Sequence, residues 1–81
     1  VAIRLSAHAV ARLRQRGIPE AWVAETIAMP DRTAPDPTDP ALTRSFRAMP
    51  DAGGRVLRVV HRPLGSDTLV ITAFLDRDVS A

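Results

Sequence analysis

TRSFRAMPDAGGRVLRVVHRPLGSDTLVITAFL, residues 43–75, decides the fold of this chain. Three runs in it, Thr43–Met49, Arg55–Arg62 and Thr68–Leu75, are rich in β-branched and apolar side chains. Pro50-Asp51-Ala52-Gly53-Gly54 separates the first two, and Pro63-Leu64-Gly65-Ser66-Asp67 the last two. Such clusters supply the fixed φ of proline and the left-handed positions that tight turns need. Connections this short join antiparallel neighbours, so the spacing predicts a three-stranded meander. Strand side chains alternate between faces, which sorts the residues. Leu57, Val59 and His61 share one face of the middle run, and Val56, Arg58, Val60 and Arg62 the other. On the last run Leu69, Ile71, Ala73 and Leu75 are the more apolar set and are assigned to the helix-packed face. Val70, Thr72, Phe74 and Asp76 face away. With Leu57 and Val59 in the core, Arg58 and Arg62 fall on the open face beside Thr72. Arg44 and Arg47 lie on opposite faces of the first run, so the open face carries arginine from both of the first two strands.

Upstream the periodicity changes. Ser6-Ala7-His8-Ala9-Val10-Ala11-Arg12-Leu13-Arg14-Gln15-Arg16-Gly17 reads as a helix with a serine N-cap and a glycine stop. At ~100° per residue, His8, Arg12 and Arg16 fall within about 80° of one another, flanked by Gln15. Ala9, Val10 and Leu13 cover the neighbouring arc. Pro19 suits a first helical position, and Trp22, Val23, Thr26 and Ile27 form the stripe of a second helix ending near Met29-Pro30. Trp22 is read as an anchor between helix and sheet. Residues 30–40, PDRTAPDPTDP, hold four prolines and three aspartates without periodicity and are read as a loop. Ala2–Leu5 alternates as a short N-terminal strand does, leaving room for a fourth strand. The expected architecture is α+β in one domain over residues 1–81. Two helices within residues 6–29 pack on one face of a small antiparallel sheet within 43–76, with a proline-rich loop over 30–42 between them.

Composition bounds the function classes. Eighty-one residues with 46% apolar content build one modest core. The absence of cysteine excludes disulfides and thiolate metal sites. No apolar run approaches the ~18 residues of a membrane span. All eleven basic residues are arginine, yet the net charge is only +2, which gives little long-range steering. Lysine, asparagine and tyrosine are absent, and all three have AT-rich codons. A GC-rich genome produces that pattern without selection for nucleic acid. The placement of the arginines is therefore informative, and their number is not.

The His8–Arg12–Arg16 stripe places an imidazole, which titrates near neutrality, beside two fixed cations. Metal-independent cleavage of RNA needs a base, an acid and cations for the developing phosphate charge. His8 is the proton-transfer candidate, and Arg12 and Arg16 are phosphate clamps. Arg47, Arg55 or Arg58 would clamp from the sheet, and Thr72 would donate a hydrogen bond. His61 shares its face with Leu57 and Val59, which favours a place at the edge of the core. Two distant histidines without clustered carboxylates make no zinc site, and Gly53-Gly54 is a hairpin turn, not a phosphate loop. No nucleophile elbow surrounds Ser6, Ser45, Ser66 or Ser80. Neither a metal nor a cofactor is expected. Asp36 and Asp39 are read as solvated or capping residues.

The pattern S-x-H-A-x-x-R-x-x-x-R-G-I at Ser6, His8, Ala9, Arg12, Arg16, Gly17 and Ile18, followed by a second short helix, resembles domain-of-unknown-function family 4258. The closing strand V-I-T-A-F adds to the likeness, with Val59, Val60, Ile71 and Thr72 matching. The resemblance runs from about Ser6 to Leu75, although the proline-rich connection is longer than is usual in that family. The family is grouped with the barnase–EndoU–colicin–RelE-like fold, so the resemblance implies a metal-independent ribonuclease toxin of toxin–antitoxin or effector type. It would be cytoplasmic, or exported within a larger effector, with RNA as substrate and a cognate antitoxin or immunity protein as partner. In that setting His8, Arg12, Arg58 and Thr72 are the catalytic candidates. Arg16, Arg47, Arg55 and Arg62 are the candidates for binding RNA phosphates. The alternatives are a non-catalytic module that binds nucleic acid or protein through the same basic face, and a structural subunit pairing through a sheet edge.

Overall fold

The computed structural model describes residues 2–76. Along the chain these form β1 (Ile3–Leu5), α1 (Ala7–Arg16), α2 (Glu20–Ala28), β2 (Arg32–Pro35), β3 (Thr43–Met49), β4 (Arg55–Leu64) and β5 (Asp67–Asp76). One five-stranded sheet results, in the order β1-β5-β4-β3-β2. The meander β3-β4-β5 is antiparallel, as its short turns dictate, and the α+β class is the expected one. Two additions enlarge it. The N-terminal strand β1 pairs parallel with the start of β5, from Ile3 opposite Thr68 to Leu5 opposite Val70, so the sheet is mixed and not purely antiparallel. The second addition lies inside the proline-rich segment: β2 pairs antiparallel with β3 from Arg32 opposite Phe46 to Pro35 opposite Thr43. An edge strand tolerates proline because one side of it makes no ladder bonds. The Asp36 carboxylate then turns the chain, accepting from the Thr38 and Asp39 amides at 2.8 and 3.0 Å.

The helix α1 forms where its caps predict. The Ser6 hydroxyl accepts from the Ala9 amide at 3.0 Å, and Gly17, at φ 63°, closes α1 with its amide directed at the Arg14 carbonyl. A left-handed residue is needed there, which glycine adopts without a Cβ penalty. Pro19 sits one position outside α2 as its N-cap. Ala9 and Leu13 from α1 and Val23 from α2 bury against Met49, Leu57, Val59, Val70 and Ala73 of the sheet, with Trp22 and Ile27 packed alongside. This cluster is the layer of core between the helices and the sheet.

The alternation expected along β5 is broken part-way. Leu75 lies opposite Leu57 and Ala73 opposite Val59, both on the helix side as expected. Beyond them His61 faces Val70 in place of Ile71, so Ile71 is an extra residue and the alternation reverses. Val70, expected to face away, is fully buried in the helix-side core, whereas Leu69 and Ile71 lie outside that cluster. The bulge also anchors α1. Ser6 donates its amide to the Val70 carbonyl at 3.0 Å and its hydroxyl to the Ile71 carbonyl at 3.2 Å.

Candidate functional site

Among the described residues no helix covers the face of the sheet opposite α1 and α2. Buried apolar side chains nevertheless lie on it: Phe46 is 4%, Val56 2% and Val60 6% exposed. Arginines close this face. The register lines up Arg32, Phe46, Arg58 and Phe74 in a single row across β2, β3, β4 and β5. The Arg32 guanidinium carbon lies 3.9 Å from the Phe46 ring centre, and that of Arg58 3.9 Å from the Phe74 ring centre. From the end of α1, Arg16 approaches the same Phe74 ring at 5.3 Å. At 3.9 Å a guanidinium shields the ring from water, and Arg32 itself stays exposed. The adjacent row holds Ala34, Arg44, Val60 and Thr72, and a third holds Arg4, Leu69 and Arg62.

The arginines divide by what they touch. Three pair with carboxylates of the described residues: Arg4 with Asp67 at 2.9 Å, Arg44 with Asp36 at 3.1 Å and Arg47 with Glu25 at 3.4 Å. Backbone amides, Thr38 and Asp39 first and then Arg44, hold the Asp36 carboxyl below its ordinary range; the Ala2 amide and then Arg4 do so for Asp67. Arg47 also donates to the Met29 carbonyl at 2.7 Å, fastening the end of α2 to β3. By contrast, Arg14, Arg16, Arg32, Arg55 and Arg62 form no ion pair among the described residues.

The expected site residues do not converge on one pocket. His8 is exposed on α1, where its Nε2 accepts from Arg12 Nε at 3.4 Å, and Arg12 donates onward to the Gln15 amide oxygen at 3.1 Å. Arg16 lies two turns further along, about 12 Å up the helix axis from His8. There it turns to the sheet and donates to the Ala73 carbonyl at 3.1 Å. Arg58, Arg62 and Thr72 lie on the uncovered face, as the alternation predicts. Arg47 and Arg55 lie on the helix side, in register with Leu57 and Met49. His61 is half-buried at the edge of the core, with Nε2 2.7 Å from the hydroxyl of Ser45, itself 1% exposed. Burial pushes the His61 pKa below its usual 6.5. Ser80 lies outside the described residues.

Cavities indent the surface on both sides of α1. A groove of about 520 Å³ between β1, α1 and α2 is lined by Ile3, Leu5, Val10, Ala21, Val23 and Ala24, with Glu20 at its rim. Apolar and edged by a carboxylate, it does not suit a phosphate. Another, about 390 Å³, is lined by Arg16, Arg55, Phe74 and Leu75. Among the described residues no three His, Asp or Glu side chains cluster to hold a metal ion. No helix among them is long and apolar enough to cross a membrane.

Fold and site together define a small α+β domain with helices on one face of a mixed sheet and arginine-capped phenylalanines on the other. The family model for the domain of unknown function DUF4258 matches residues 5–75, and the chain belongs to that family. No curated protein and no solved structure matches the chain.

Proposed function

We propose that this domain binds RNA through the uncovered face of its sheet, with Arg32, Arg58 and Arg62 as the phosphate contacts. The observation that carries the reading is the row Arg32–Phe46–Arg58–Phe74, which spans four strands, or about 14 Å. Guanidiniums fixed on rings are held in place before a ligand arrives, so little side-chain entropy is lost on binding. Arg32 and Arg62 also carry charge that no carboxylate of the described fold neutralises. The domain would act in the cytoplasm. An antitoxin or immunity protein would hold it by laying acidic side chains over the same arginines.

A second reading is catalytic: metal-independent ribonuclease activity with proton transfer at His8, which is exposed on α1 with the Arg12 guanidinium beside its ring. His8→Ala separates the two. Loss of RNA cleavage with RNA affinity retained supports catalysis at His8, and identical behaviour of variant and parent leaves binding alone. Binding itself is tested by fluorescence anisotropy with a labelled oligouridylate across a salt series. Each phosphate contact contributes about 0.7 to the slope of log K against log salt for a single strand. A flat salt response would overturn the proposal.

A further inference from the structure

Arg16 ends α1 and Arg55 begins β4, and the fold brings both to the corner where β5 finishes. There they line the cleft of about 390 Å³ together with Phe74 and Leu75. Phe74 belongs to the uncovered face and Leu75 to the helix side, so the cleft wraps around the strand. It can do so because β1 pairs with β5 only between Thr68 and Val70. Each guanidinium is steered by a neutral carbonyl: Arg16 Nη1 donates to Ala73 at 3.1 Å, and Arg55 Nε to Ala52 at 3.1 Å. A guanidinium has five N–H donors, so both keep donors for a ligand. Neither is in an ion pair among the described residues.

Two oriented cations suit a dianion, and paired arginines suit phosphate in particular. The cleft is larger than a lone phosphate needs and falls in the ~300–1,000 Å³ range of small-molecule sites. Its remaining wall is apolar and aromatic. We infer that this cleft binds a nucleoside monophosphate group, with the phosphate between Arg16 and Arg55 and the base against Phe74 and Leu75. The group is either a free nucleotide or the phosphorylated end of an RNA strand. Only the second source rests on the RNA-binding reading above, since the row of arginines on the open face runs into Phe74 at this corner.

The test is calorimetric titration of the intact chain with adenosine 5′-monophosphate, adenosine and inorganic phosphate. The monophosphate should bind at least about tenfold more tightly than either fragment, because each fragment forfeits one set of contacts. Arg16→Ala and Arg55→Ala should each weaken it by about tenfold or more. Arg55→Gln serves as the second variant should the alanine fail to fold. Equal binding of phosphate and nucleotide would overturn the nucleotide assignment. Unchanged nucleotide affinity in folded Arg16 and Arg55 variants would overturn the site. Oligouridylates with phosphorylated and unphosphorylated ends separate the sources. A preference for the phosphorylated end that disappears in the Arg55 variant supports a strand end. Nucleotide binding without that preference assigns the cleft to a free nucleotide. Strands that bind while the monophosphate does not would end this inference and leave the RNA-binding reading standing. The converse result would end that reading and leave the cleft.

Discussion

The two faces of the sheet bury similar side chains and are closed by different means. On one, Leu57, Val59, Val70 and Ala73 meet Ala9, Leu13 and Val23 from the helices. On the other, Phe46, Val56 and Val60 are nearly as well buried, and guanidiniums supply part of the cover. A helical cover excludes water and offers no charge. Arginine cover excludes water from the rings, and the exposed Arg32 keeps N–H groups for a ligand. Substitutions of the buried apolar side chains on the first face should therefore change stability alone, while those on the second should change stability and RNA binding together.

The largest effect is expected where both roles meet. Phe46→Ala should lower unfolding free energy by about 3–5 kcal/mol in urea titration and also weaken RNA binding, since Arg32 loses the ring that orients it. Undiminished RNA affinity in the folded fraction would separate the ring from the binding face. Leu57→Ala, on the helix side, should cost about 2–5 kcal/mol by the same titration and leave the affinity of the folded protein intact. A loss of affinity there would break the division between the faces. Arg47→Ala should cost about 1–2 kcal/mol, because it frees the Met29 carbonyl and Glu25 at the end of α2, with no change in the salt dependence of RNA binding.

The smallest effect is a pH dependence at His61. Its pKa is lowered in the folded state, so between that value and 6.5 the unfolded chain binds more protons than the folded one. Its contribution to stability is complete above about pH 6.5 and declines as pH falls toward the folded value. Thermal unfolding followed from pH 7.5 to 5 should show Tm falling with acidification, and His61→Gln should flatten that trend. An unchanged trend in the variant would assign it to other groups.

Features fixed by near neighbours in sequence were legible before the structure. The Ser6 and Gly17 caps bounded α1, Trp22, Val23, Thr26 and Ile27 marked the buried side of α2, and turn clusters delimited β3, β4 and β5. Features set by pairing between distant segments were not. The strand at Arg32–Pro35 is flanked by prolines that read as a loop, and it exists because Phe46 and its neighbours offer a partner edge. The bulge at Ile71 has no local marker, since every residue from Leu69 to Leu75 suits a strand. The candidate site follows the same rule. Alternation put Arg58, Arg62 and Thr72 on the open face, yet Arg32 was hidden in the presumed loop. The row with Phe46 and Phe74 depends on register across four strands. Phe46 in the same alternation as Arg44, and Phe74 in the same alternation as Thr72, were the available signal.

On the proposed reading RNA is held by arginines of the uncovered face and not by positive charge in general. Arg14 gives the sharpest control, being exposed on α1 and, like Arg32, in no ion pair among the described residues. The decisive measurement is the salt dependence of oligouridylate affinity in Arg32→Ala beside Arg14→Ala, two variants with the same loss of charge. The slope should fall by about 0.7 in the first and stay at the parent value in the second. Equal slopes in the two variants would contradict the claim.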